Sequence, residues 1–162
     1  PRSNSINLSQ GVYDSAAVAA IGVAAHEAGH AVQYAKNYAP IKLRMAIIPV
    51  CNIGTRLGPL LIILGFFLSY MAESMITVGN TLYFIGLILF CTVALFQLVT
   101  LPVELDASRR ALKALSGGVM EKSELPGVRK VLTAAALTYV AALVSAVMQV
   151  IYYASRYRPR EK

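Results

Sequence analysis

Leu82-Tyr83-Phe84-Ile85-Gly86-Leu87-Ile88-Leu89-Phe90-Cys91-Thr92-Val93-Ala94-Leu95-Phe96-Gln97-Leu98-Val99-Thr100-Leu101 carries no charge, and it lies inside a longer uncharged stretch from Ser74 to Val103. Wound as an α-helix at about 1.5 Å per residue, it crosses the roughly 30 Å of hydrocarbon in a bilayer. It reads as a membrane helix. Lipid offers no partner for exposed backbone groups, so this one element commits its neighbours to helices as well.

Working outward, the residues from Leu57 to Ala72 are also uncharged, and only Glu73-Ser74 and their neighbours separate the two runs. The earlier run is short for a bilayer of about 30 Å, so its helix is expected to take in apolar residues upstream, with Arg56 snorkelling or facing protein. Residues 57–103 therefore read as a membrane hairpin. A third uncharged run, Val131 to Ser155, follows Pro126-Gly127 and leads into a basic tail, residues 156–162, with Tyr152, Tyr153 and Tyr157 placed for an interface.

Between the hairpin and the third run lies a polar segment, residues 104–130. Here Pro102 is expected to start a new helix, and Ala107 to Leu115 reads as helical with a stop at Gly117-Gly118. At the front, residues 1–14 are polar. Ser5-Ile6-Asn7-Leu8 alternates as a strand does, and Gln10-Gly11 suggests a turn. Ser15 is a candidate N-cap for a helix over residues 16–36 that fades at Asn37 before Pro40. From Ile41 to Thr55 the chain is apolar but broken by Pro49 and Gly54. The expectation is one all-α membrane domain over 1–162, with at most a short N-terminal strand. Because the chain opens at Pro1 without a signal peptide, it is expected to be a fragment or a processed form whose missing front could hold another membrane segment.

Composition agrees with a lipid environment. Hydrophobic residues make up 57% of the 162 and charged residues 14%, about half the usual charge of a soluble domain. Mean hydropathy is +0.59. The net charge of +7 does not indicate nucleic acid, because the cations form no stripe interleaved with aromatics. They flank apolar runs instead, as in Lys42-Leu43-Arg44, Arg109-Arg110, Arg129-Lys130 and Arg156-Tyr157-Arg158, where anionic headgroups would meet them. Cys51 and Cys91 lack metal spacing and sit in apolar surroundings, which suits packing.

Both histidines of the chain fall in His26-Glu27-Ala28-Gly29-His30, the H-E-x-x-H pattern of zinc peptidases. Residues four apart on a helix share a face, so both imidazoles can aim at one ion, with Glu27 alongside to take a proton from a bound water. A helical histidine is usually just a satisfied polar group. That reading gives no reason for the only two histidines to stand at ligand spacing around an acid. The surrounding Ala24-Ala25, Ala28-Gly29 and Ala31 are small enough to let another backbone or a substrate come close.

A catalytic zinc takes three protein ligands and a water, so a carboxylate must complete the set from Asp14, Glu73, Glu104, Asp106, Glu121, Glu124 and Glu161. A hairpin returns the chain to the face it left, which favours Glu104 and removes Glu73 at the far tip. Glu104 is the first choice. Asp106, on roughly the opposite helix face, is the fallback or a supporting partner. For both, the bland reading is an acid at the positive end of a helix.

His26-Glu27-Ala28-Gly29-His30, a membrane hairpin, and then Pro102-Val103-Glu104-Leu105-Asp106-Ala107-Ser108-Arg109-Arg110-Ala111-Leu112 together resemble the YugP-type neutral zinc metallopeptidases of bacterial membranes. The order of motifs is also similar to the heat-shock and prenyl-protein membrane metalloproteases, whose later motif reads E-x-x-A-D. The resemblance implies one Zn²⁺ ion on His26, His30 and Glu104, with Ala107 at the motif's alanine; Ser108 stands where that motif has aspartate. It further implies an N-terminal membrane helix that this chain lacks.

The expected activity is a membrane endopeptidase acting on protein or peptide substrates, with Glu27 as general base. Tyr13, Tyr34, Asn52 and Arg109 are open candidates for oxyanion stabilisation, and the Ser5–Leu8 segment for strand addition to a substrate. An intramembrane site-2-type protease would need an N-P-x-D-G-like motif, which is absent, and an ATP-dependent protease a nucleotide-binding loop, also absent. A non-enzymatic adaptor stapled by zinc is the remaining rival. Lys36, Lys42 and Arg44 before the hairpin and Arg109, Arg110, Lys113, Lys122, Arg129 and Lys130 after it place the zinc side in the cytoplasm of a bacterial plasma membrane. The third run, 131–155, reads as a third membrane helix; spanning would export the tail cations Arg156, Arg158, Arg160 and Lys162 against the same rule, so the helix either is re-entrant, lies at the surface, or spans with its tail tolerated.

Overall fold

A computed structural model describes residues 5–156. The tail cations Arg158, Arg160 and Lys162, with Tyr157 and the candidate ligand Glu161, lie outside the described residues, as does the start of the polar lead-in. The described chain is helical and contains no strand. After a single turn, α1 (Gln10–Tyr13), come α2 (Val18–Ala35), α3 (Ala39–Met71), a 3₁₀ turn at Glu73–Met75, α4 (Ile76–Ala114), a π turn at Leu115–Val119 and α5 (Leu125–Arg156). α3, the helical stretch from Glu73 to Val119, and α5 are each long and apolar enough to cross a membrane. The protein is an all-α membrane protein.

Several local expectations are corrected. Ser5–Leu8 has no regular structure: among the described residues no second strand exists to take its backbone bonds. Gln10-Gly11 opens a helical turn instead of a reverse turn. α2 starts at Val18, not at residue 16, because the Ser15 hydroxyl accepts the Ala17 amide at 3.2 Å and holds Ala17 in an extended conformation. Its end agrees with the sequence, since α2 stops at Ala35 and Asn37 adopts a left-handed φ of 53°.

The larger correction concerns proline. Pro49, Pro59 and Pro102 all lie inside helices, so 41–55 is not a broken segment and Pro102 does not begin a new helix. An interior proline costs about 3 kcal/mol. Breaking a helix in lipid would strand several backbone groups at several kcal/mol each, so the continuous helix wins. Past Ala114 the chain does turn, and Gly118 at φ 105° supplies the left-handed conformation that other residues adopt only with strain. Pro126 sits in the first turn of α5, where its missing N–H is no loss.

The described residues form two compact units, 5–43 with 99–141, and 44–98 with 142–156. In the first, Ala111 of α4 and Leu115 of the π turn pack with Val128 and Leu132 of α5, and Val18, Ile21 and Ala25 of α2 lie against them. In the second, Ile62, Tyr83 and Phe90 form a cluster joined by Val150 and Tyr153, with the Tyr83 hydroxyl donating to the Tyr153 carbonyl at 2.9 Å.

Candidate active site

The first unit brings α2 against the later part of α4 at a backbone contact. Gly29 is buried, and a Cβ there would stand 2.5 Å from the Ala107 carbonyl oxygen. Ala107 is itself fully buried. Two small residues thus set the distance between the helices, and the larger groups on either side of them meet. His26 and His30 lie one turn apart on α2, and Glu104 lies one turn before Ser108 on α4.

The donor atoms of His26, His30 and Glu104 all lie within 4.8 Å of one another. Glu104 Oε2 is 3.0 Å from His26 Nε2 and 3.4 Å from His30 Nε2. Ligands about 2.0–2.1 Å from a tetrahedral zinc stand about 3.3 Å apart, close to the two separations from Glu104. Glu104 is almost fully buried, whereas the imidazoles are partly open, which leaves a side from which water and a substrate can approach.

The other ring nitrogens are engaged. His26 Nδ1 is 3.1 Å from Ser108 Oγ, and His30 Nδ1 is 2.9 Å from Gln33 Oε1. Gln33 donates both amide protons, to the Val103 carbonyl at 2.8 Å and to Asp106 Oδ2 at 2.8 Å. Its oxygen can therefore only accept, which puts the proton on His30 Nδ1 and leaves Nε2 with a free lone pair. Asp106 in turn takes Arg110 Nε at 2.6 Å, and the Arg110 guanidinium lies over the Tyr38 ring at 5.8 Å. Burial alone would depress the His30 imidazole. The Glu104 carboxylate and the Gln33 oxygen, with the negative field of Glu104 and Glu27, outweigh it and raise the His30 pKa above its ordinary value.

Of the acids weighed from sequence, Glu104 joins the imidazoles, and Asp106 holds Gln33 and Arg110 instead of joining them. Of the two places weighed for Asp106, fallback ligand or supporting partner, its contacts are those of a supporting partner, reaching the site through Gln33. Glu27 is exposed beside the pair. Tyr13, Asn52 and Arg109 are exposed and Tyr34 half-buried, and none of the four hydrogen-bonds to the three clustered groups. Ser108, at the position of an aspartate in the prenyl-protease motif, serves His26 through its hydroxyl. Gln33 was not anticipated. Its place three residues after His30 carries no distinguishing signal, and only its complete burial in the structure marks it out.

The chain belongs to the family described as "Putative neutral zinc metallopeptidase", whose model matches residues 1–158. Membership supports zinc as the ion, and the nitrogen and oxygen donors suit it. Among relatives, the "Putative membrane protease YugP" of Bacillus subtilis (strain 168) is 40% identical over 154 residues. That alignment covers 94% of this chain and 64% of the relative, so the chain spans a little under two thirds of its length. No solved structure matches.

Proposed function

We propose that this protein is a membrane-embedded zinc endopeptidase in which His26, His30 and Glu104 hold one Zn²⁺ and Glu27 is the general base. The observation that carries the reading is the convergence of two Nε2 atoms and one buried carboxylate oxygen, with both Nδ1 positions already engaged. Zinc bound there would bring the pKa of a coordinated water near neutrality and polarise a substrate carbonyl. Glu27, exposed and one residue from His26, takes the proton of the attacking water and passes it to the leaving amine. Gln33 keeps the His30 ring in the tautomer that binds metal, and the Ser108 hydroxyl is placed to accept from His26 Nδ1 and do the same.

The test is Glu27→Gln in the full chain, purified in detergent with its zinc measured. Zinc should remain near one ion per chain while hydrolysis of an unfolded protein substrate falls by about 10²–10⁴. Undiminished proteolysis in the variant refutes the assignment, and a wild-type protein that binds zinc but cleaves nothing favours the zinc-stapled adaptor.

A further inference from the structure

The basic residues after the hairpin are more than a topology signal, because four of them gather around one groove. In the first unit, a groove of about 870 Å³ is bordered by Lys113 of α4, Lys122 of the connecting turn, and Arg129 and Lys130 of α5, and continues past Ala134 to Leu137. Among the described residues none of these four cations makes an ion pair. Glu121 and Glu124 stand in the same turn but do not line the groove. Four like charges around one cavity repel one another and attract a concentrated anion.

The rest of the lining says what kind of anion. Arg129, Lys130, Thr133, Ala134 and Leu137 follow helical spacing along one face of α5, so the wall changes from cationic to apolar over about 10 Å, seven residues at 1.5 Å each. Leu137 is 59% exposed on a helix apolar enough to span a bilayer. A soluble phosphate or an acidic peptide would use the charged end and gain nothing from the apolar one. An amphiphile with an anionic head and a hydrocarbon chain uses both.

We propose that this groove is a binding site for an anionic phospholipid, its phosphate held among Lys113, Lys122, Arg129 and Lys130 and an acyl chain laid along Ala134 and Leu137. Phosphate held by lysine and arginine makes charge-assisted bonds, and basic pockets between membrane helices suit such head groups. The lipid would tie the end of α4 to the start of α5, the two elements that pack with the metal-bearing helix through Ala111, Leu115, Val128 and Leu132.

The experiment measures thermal unfolding of the full chain in an uncharged detergent while phosphatidylglycerol or phosphatidylcholine is titrated in. Phosphatidylglycerol should stabilise at concentrations at least tenfold below phosphatidylcholine. Arg129→Gln with Lys130→Gln should remove that preference, as should Lys113→Gln with Lys122→Gln from the facing wall; all four residues are exposed, so folding is not at stake. Lys36→Gln with Lys42→Gln, which removes the same charge elsewhere, should keep the preference within twofold. Leu137→Asn should weaken the lipid but not glycerol phosphate alone. The proposal is overturned if phosphatidylcholine serves equally, if the Lys36 and Lys42 control loses the preference as well, or if inorganic phosphate or an acidic peptide reproduces the whole stabilisation.

Discussion

Gln33 shows how much of the site rests on one side chain that touches no substrate. It is fully buried, accepts from His30 and donates to both Val103 and Asp106, so every polar atom of the amide is used. Gln33→Leu keeps the volume but frees the His30 ring and leaves the Val103 carbonyl and Asp106 without its donors. Zinc affinity, read by competition with a chelator, should fall about 10- to 100-fold, and stability by about 1–3 kcal/mol. Gln33→Glu should be worse. A carboxylate can still accept from His30 but has no proton for the Val103 carbonyl and faces Asp106 as a like charge. Affinity unchanged in both variants would mean the network does not position the ring. That His26 and His30 share one helix face was legible because their spacing is written in the local chain. Glu104 was legible only through topology, and Gln33 not at all, since its partners are some seventy residues away and a glutamine on a helix ordinarily points to water.

Among the elements, hydropathy revealed three apolar helices but not how two of them touch. Gly58 and Gly65 of α3 are spaced like Gly79 and Gly86 of α4, and each pair faces the other helix's backbone. A Cβ on Gly79 would stand 2.5 Å from the Ser69 amide nitrogen, and one on Gly86 2.7 Å from that of Ile62. The seven-residue spacing puts a small residue at the seam on every second turn, an arrangement by which helices pack in lipid without a hydrophobic drive. Sequence could not reveal this, because a glycine becomes a contact only once the register of its partner is known. Proline misled for a related reason: its cost is local, while the larger cost of stopping a helix in lipid belongs to the surroundings. Gly79→Leu makes the run more apolar, so membrane insertion should survive, yet the α3–α4 seam must open. Thermal unfolding in detergent should show a loss of about 1–3 kcal/mol or more, with Val78→Leu on the exposed neighbouring position as the comparison. Equal stability of Gly79→Leu and wild type would count against the tight seam.

For the whole molecule the charge pattern bears on which way it faces, and two parts of the sequence pull in opposite directions. By the positive-inside rule the cations from Lys36 to Arg44 and from Arg109 to Lys130 favour a cytoplasmic place for the end that carries His26 and His30, while three crossings would export the cationic tail. The first two groups flank short connections, where the positive-inside rule is strongest, and together they outnumber the tail. The cytoplasmic assignment therefore has the greater weight. It also places the lysine- and arginine-lined groove beside the leaflet richest in anionic lipid, so one orientation serves both proposals. The prediction is made on a background with Cys51→Ala and Cys91→Ala, which removes the two native thiols. Single cysteines at Lys36 and Lys122 should be shielded from an impermeant thiol reagent in intact bacterial cells and become reactive after permeabilisation. A cysteine at Ser74, in the hairpin's tip, should react in intact cells. A cysteine at Arg156 separates the remaining alternatives: labelling from outside means α5 crosses, and protection means it returns or lies along the surface despite its length. Labelling at Lys122 from outside would reverse the assignment, place peptide hydrolysis on the outer face, and leave the groove facing the less anionic leaflet.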